Sequence, residues 1–166
     1  MATINLTRDK TATIDDDDLL LTIGWHWQAV PTGAGSSGYD RKRRNWYVQG
    51  SRVVDGKYEH TYMHILLMGR NFVDHINGDG FDNRRENLRL VTPQQNSANQ
   101  SIRADRGSSR FKGVYWAKKA NKWAACIKKN YHTIGLGAFS DELDAARAYN
   151  EAATRIFGEF ARLNEI

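Results

Sequence analysis

In the run VDHINGDGFDNRRENLRLVT, which begins at Val73, three aspartates, a histidine, several amides and three arginines crowd around two glycines. The run is too polar to be core and too regularly spaced to be an incidental loop. Asp74 and His75 have the side chains for chemistry. A carboxylate, an amide carbonyl and waters make an all-oxygen donor set that suits Mg²⁺, which keeps most of its hydration and takes substrate phosphate oxygens as further ligands. A neutral imidazole, with an unperturbed pKa of about 6.5, can take a proton from water. A hard cation beside a basic imidazole is chemistry for cutting a phosphodiester.

Local elements must bring these groups together. Val73, Asp74 and His75 read as the end of a strand, and the glycines of INGDG mark a turn that needs positive φ. NLRLV reads as a second short strand, and Thr92-Pro93-Gln94-Gln95 is a capping box with proline in the first helical position. Asn96 then falls in the first helical turn, from which it can return over the hairpin toward Asp74. Neighbouring strand residues point to opposite faces, so using Asp74 and His75 in one site requires the backbone to leave regular geometry there.

The whole chain has 166 residues, a hydrophobic share of 40% and five tryptophans, enough for one ordinary domain or two small ones. No apolar run is long enough to span a bilayer, and MATINLTRDK lacks the apolar stretch of a secretory signal. The expectation is a soluble cytoplasmic protein with no membrane partner. The single cysteine, Cys126, excludes an internal disulfide and a cysteine-rich zinc knuckle, leaving His, Asp, Glu and Asn as metal-ligand types.

The net charge of +5 is unevenly spread. Residues 1–40 are net acidic through Asp15 to Asp18, a run that reads as a turn or a solvated helix start. Residues 101–132 hold Arg103, Arg106, Arg110, Lys112, Lys118, Lys119, Lys122, Lys128 and Lys129 against Asp105 alone, a distribution that suits a polyanion. A second basic cluster, with Arg41, Arg43 and Arg44, leads into the aromatics of NWYVQ. The plain alternative for either cluster is a solvated surface.

The Gly/Ser loop VPTGAGSSG and the polar stretch SANQSIRADRGSSR divide the chain. The predicted class is α+β. A β-rich N-terminal segment, with NWYVQ and YEHTYMHI as strands and Trp25, Trp27 and Trp46 as core, shares residues 1–100 with the strand-turn-strand-helix unit. A linker over 101–110 leads to a small unit over 111–166. There FKGVYWAKK, KWAACIKK and YHTIGLGAF read as three strands, followed by a helix from Asp141 to Phe157 capped by Ser140 and stopped by Gly158. Alternation puts Val114, Trp116, Ala125, Ile127, Ile134 and Leu136 under the helix stripe of Ala145, Ala146, Tyr149, Ala152, Ala153 and Ile156. The opposite face, with Tyr115, Ala117, Cys126, Lys128 and Thr133, is open and basic.

DHINGDGFDNRRENLRLVTPQQNSAN resembles the HNH endonucleases found as homing endonucleases of phages and introns, without a gap from Asp74 to Asn99. The resemblance implies a ββα-metal core. Asp74 and Asn96 become metal ligands for Mg²⁺ or Mn²⁺, His75 the general base that activates water, and Asn87 the asparagine that braces the loop. The implied reaction is hydrolysis of a phosphodiester in double-stranded DNA, with the metal stabilising the phosphate and the leaving 3′ oxygen. Asn96 stands where some relatives have His. His64 matches a histidine frequent before the motif, whereas Ile65 stands where relatives often carry Arg.

KGVYW, KWAACI, LGAFSDELDAARAYNEAA and the closing ARLN resemble the APETALA-type, or ethylene-response-factor, DNA-binding domain. That resemblance implies a sheet lying in the major groove, with Lys112, Tyr115 and Lys128 at DNA-contacting positions. Lys118, Lys119, Lys122 and Lys129 add charge to the same surface. Cys126, Thr133 and Gly135 replace residue types that contact DNA in the plant proteins, so no base preference carries over.

Two rivals stand beside this reading. His75 to Glu86 places Asn77, Asp79, Gly80 and Glu86 at the third, fifth, sixth and twelfth positions of a calcium loop, but with His75 where Asp is wanted and Asp82 where an apolar residue is usual. The other rival is a sequence-specific DNA-binding regulator that keeps the HNH fold without cleaving. A single site per chain is compatible with nicking by a monomer or double cutting by a homodimer.

Overall fold

The computed structural model describes residues 1–31, 46–100 and 108–166, and these form two compact units, Met1–Val91 and Thr92–Ile166. The architecture is mixed helix and sheet, the sheets being small and antiparallel. Arg41, Arg43 and Arg44, and most of the 101–110 connector, lie outside the described residues. No helix among the described residues is long and apolar enough to cross a membrane.

The first unit opens with a hairpin of β1 (Ala2–Asn5) and β2 (Thr11–Ile14), whose turn places Arg8 and Asp9 at φ 65° and 54°. Strand alternation turns Ala12 and Ile14 inward, where both are fully buried. Asp16–Asp18 form one turn of 3-10 helix leading into α1 (Leu19–Thr22). A three-stranded sheet follows in the order β3 (His26–Pro31), β4 (Trp46–Val54), β5 (Lys57–Tyr62). Gly50 of β4 lies against Trp27, so a Cβ there would come within 2.6 Å of the ring.

The YEHTYMHI segment is a strand only as far as Tyr62; Met63–Met68 is helix α2, ended by Gly69 at φ 62°. Met and Leu side chains, not branched at Cβ, favour the helix, and Met63 and Leu67, one turn apart, are both buried. Strands β6 (Val73–His75) and β7 (Leu88–Leu90) complete the unit as a two-stranded ribbon. One core joins these elements through Ile14, Trp27, Val48, Met63, Val73 and Leu88. Of the three tryptophans expected there, only Trp27 is fully within it. Trp25 packs on Trp27 at 5.8 Å between ring centroids, while Trp46 is half-buried beneath the cations of Arg8 and Lys10, 5.3 and 5.4 Å from its ring centroid.

In the second unit, helix α3 (Pro93–Asn99) precedes a sheet of β8 (Val114–Ala117), β9 (Lys122–Lys129) and β10 (His132–Phe139), with β9 central. Helix α4 (Glu142–Phe157) covers one face, packing Ala145, Ala146, Tyr149 and Ala153 on Val114, Ala125 and Ile127. Gly113, at φ +74°, admits the Tyr149 ring so closely that a Cβ would sit 2.1 Å from it.

Two local expectations shift. Asp141, not Ser140, caps α4, its Oδ1 accepting from the Leu143 and Asp144 amides at 2.7 and 3.3 Å; a carboxylate there also meets the positive end of the helix dipole. Ile134, the cross-strand partner of Ile127, is on the helix-facing side but only partly covered by the helix. It is 41% exposed, on edge strand β10, whose register shifts between Gly135 and Gly137.

Candidate active site

Asp74 pairs across the ribbon with Arg89, and His75 with Leu88. The Arg89 guanidinium donates to Asp74 Oδ2 from Nε at 3.3 Å and Nη2 at 3.1 Å. The ladder stays regular through His75, so the expected break in strand geometry at this pair does not occur. The chain turns just beyond, where the Gly78 amide donates to the His75 carbonyl at 2.9 Å. Asp74 and His75 are nonetheless both buried, because the unit covers both faces of the short ribbon.

The loop joining β6 to β7 is closed by its own amides and carboxylates. Asn77 Oδ1 accepts from the Asp79 amide at 2.8 Å, and Asp79 Oδ1 from the Phe81 amide at 3.0 Å. Asn87 spans the loop: its Oδ1 accepts from the Asn77 amide at 3.0 Å, and its Nδ2 donates to Asn77 Oδ1 at 3.1 Å and to the Asp82 carbonyl at 2.7 Å. Gly78 has φ +77° as expected, but Gly80 has a different reason to be glycine. A Cβ there would lie 2.1 Å from the Trp46 carbonyl oxygen.

These bonds also count against a calcium loop, whose carboxylates would have to converge on one ion. Asp82 instead forms two 2.8 Å bonds with Arg84, which also pairs with Glu86. The Arg84 contact holds the Asp82 carboxyl below its usual range. Among the described residues, no group of three or more His, Cys, Asp or Glu is placed to hold a metal.

The N-terminal hairpin clamps the same loop from outside. The Thr13 amide donates to the Phe81 carbonyl at 2.9 Å and the Asn83 amide to the Thr13 carbonyl at 2.8 Å. Asp15 Oδ2 accepts from the Arg85 amide at 2.8 Å, and Asp18 takes the Arg85 guanidinium at 2.7 Å. The acidic run is therefore not simply a solvated helix start: Asp18 is 2% exposed. Its partner lies 67 positions along the chain, beyond the reach of any local pattern.

Around His75 the structure gathers residues from β4, β5 and α2. The His64 ring meets His75 edge to face at 4.9 Å, Tyr47 lies 5.6 Å from His75, and Tyr62 stacks on His64 at 5.6 Å. Asn83 Oδ1 is 3.2 Å from His75 Nε2. Burial pushes the His75 pKa down, opposed in part by the Asn83 hydrogen bond and the charges of Asp74, Asp79 and Asp82. Burial, with the neighbouring His75, takes His64 to about 3. Both imidazoles are thus neutral near pH 7, and a neutral imidazole is a base. His64 Nδ1 is buried and has no hydrogen-bond partner among the described residues. The motif pointed to His64 in advance, but nothing in their own spacing pointed to Tyr47, Tyr62 or Asn83.

In the second unit, Asn96 lies in the first turn of α3 and is half-buried. The Thr92 capping box is present as read, with Gln95 as its partner. Lys112 does not present its ammonium on the sheet face. It donates to the Ala98 and Gln100 carbonyls, and burial, with the Arg162 charge, lowers its pKa to about 8. Tyr115, Lys118, Lys119, Lys122, Lys128 and Lys129 are all exposed, on β8, on β9 or in the turn between them. Cys126 is half-buried and its thiol is pushed up by burial.

Residues 70–98, which span the ribbon, its loop and most of α3, match the HNH endonuclease family model. The chain is 42% identical over 112 residues to an Acanthamoeba polyphaga mimivirus protein described as an uncharacterized HNH endonuclease, covering 64% of this chain and 57% of that protein. It is 33% identical over 81 residues to an AP2-like ethylene-responsive transcription factor of Arabidopsis thaliana, covering 49% of this chain but 23% of that one. The chain thus spans little more than half of the first relative and less of the second. No solved structure matches. Protein 3.8 of Escherichia phage T7 is 32% identical over 91 residues, covering 55% of this chain and 74% of that protein. The chain therefore belongs to the family of T7 protein 3.8 and carries, through residues 70–98, an HNH endonuclease domain.

Proposed function

We propose that this protein is a metal-dependent endonuclease that hydrolyses phosphodiester bonds in double-stranded DNA at a long specific site, as a homing endonuclease does. The observation that carries the reading is the buried, neutral His75 beside Asp74 on a braced ribbon, inside the segment that matches the HNH family. In this reading β6, β7 and α3 are the ββα-metal core, with Asp74 and Asn96 holding Mg²⁺ or Mn²⁺ and His75 as general base. The similarity to an AP2-like factor supports an APETALA-type DNA-binding role for the second unit.

The donor chemistry fits such an ion. Asp74 is one carboxylate, already partly neutralised by Arg89, and one carboxylate with an amide oxygen suits a cation that keeps several waters. It does not suit structural zinc, which takes four protein ligands. When bound, the ion supplies charge neutralisation at the phosphate and at the leaving oxygen.

The chain's own residues do the rest. His75 takes the proton of the attacking water, and its burial keeps it unprotonated until that moment. Asn87 keeps the loop closed so that the imidazole and Asp74 hold their places. A DNA-binding regulator without cleavage remains the second reading, since the exposed lysines of β9 and of the turn before it would serve it equally. Incubating the full chain with supercoiled plasmid in Mg²⁺, in Mn²⁺ and in EDTA decides between them. Nicked or linear product that disappears with EDTA and with Asp74→Ala supports the nuclease; binding without product in either metal supports the regulator.

A further inference from the structure

We infer that Asn83 is a positioning residue that fixes the tautomer of His75, placing the proton on Nε2 and the basic lone pair on Nδ1. The inference rests on the reading of His75 as the general base and adds which nitrogen does the work and what selects it. The amide of Asn83 can be oriented by chemistry alone. Its Nδ2 lies 3.2 Å from the Gly80 carbonyl oxygen, which can only accept, so that end must be the donor. The other end, Oδ1, then faces His75 Nε2 at 3.2 Å. An amide oxygen has no proton to give, so a neutral imidazole making this bond carries its hydrogen on Nε2.

Asn83 is held tightly enough to impose that choice. It is 0% exposed, so no water competes for its amide. Its main chain is bonded to β2, with the Asn83 amide donating to the Thr13 carbonyl at 2.8 Å, and the Thr13 amide closing the bridge on Phe81 at 2.9 Å. The N-terminal hairpin, which contributes no reacting group, thereby positions the base through one side chain. Gly80 takes part as well: its close approach to Trp46 sets where its carbonyl meets the Asn83 amide.

The test is ¹⁵N NMR of the imidazole rings of the full chain at neutral pH, with His75 assigned by the loss of its signals in His75→Ala. The expected wild-type spectrum shows His75 protonated at Nε2 and unprotonated at Nδ1. Asn83→Leu should lose that preference and lower single-turnover cleavage by about 10- to 100-fold, as removal of an orienting partner does, with DNA affinity unchanged. Asn83→Asp, which keeps an acceptor at the same place, should retain the Nε2 proton and cut faster than Asn83→Leu. A wild-type His75 protonated at Nδ1 overturns the inference, even if Asn83→Leu does not fold. So does an Asn83→Leu protein that keeps both tautomer and rate. If His75→Ala still cleaves DNA, the general-base reading fails by itself, while an inactive His75→Ala beside an Nδ1-protonated wild type sinks only the assignment made here.

Discussion

The ribbon of the first unit and the sheet of the second use polar residues in opposite ways. At β6 and β7 the polar side chains are buried: Asp74 meets Arg89, His75 meets Asn83, and Asn87 makes three bonds across one loop. In the second unit the lysines stand in solvent, Lys118 and Lys119 in the turn after β8 and Lys122, Lys128 and Lys129 at the ends of β9. A buried polar group is worth much when paired and costs much when orphaned, so the ribbon depends on exact partners. An exposed cation acts on a polyanion over several ångströms and needs no particular geometry. The first arrangement suits bond-breaking chemistry, and the second suits holding a charged polymer.

Substitutions can sharpen or break that contrast. The largest effect is expected for His75→Ala, which should lower cleavage by about 10²- to 10⁴-fold, as loss of a general base does, and leave a gel-shift Kd nearly intact. Loss of binding along with cleavage would mean that the two regions are not separable in function.

Asn87→Ala is next. It strands the Asn77 amide and the Asp82 carbonyl inside the loop, and urea denaturation should show a loss of about 1–3 kcal/mol. No measurable loss would show that the bracing bonds are replaced by water at no cost.

A pH effect follows from His64. Its folded pKa, about 3, lies below the unfolded value of about 6.5, so the unfolded chain binds more protons between these limits. The stability it contributes is complete above about pH 6.5 and falls with decreasing pH by about 1.4 kcal/mol per unit within that window. Denaturation curves at pH 7 and pH 5 should show this decline, and His64→Phe should reduce it. An unchanged slope in that variant would remove His64 as the cause.

The smallest effect belongs to the second unit. Lys128→Ala should leave stability within about 0.5 kcal/mol of wild type. It should also flatten the dependence of log affinity on log salt by about 0.9 if one phosphate contact is lost. A large stability loss would show that these lysines are structural after all.

Much of the local structure was legible. The end of β6 at His75, the capping box at Thr92 and the alanine stripe of α4 all appear where the sequence puts them, because each depends on residues within about four positions of one another. The errors are of the same short range. The cap moved one residue from Ser140 to Asp141, two good capping types side by side. MHILLM became helix because its spacing and its strong helix formers, two Met and two Leu, outweighed the strand running into it.

The candidate pair, Asp74 and His75, was legible in the sequence alone, since adjacent positions need no fold to be neighbours. Their environment was decided by tertiary structure. The clamp of Asp15 and Asp18 on Arg85 joins residues 70 and 67 positions apart, and Tyr47 and His64 reach His75 from other elements. Burial is a property of the whole unit, and burial lowers the His75 pKa and excludes water from Asn83. Bonds of that kind form only once the chain has closed long loops, so no window of sequence contains both of their ends.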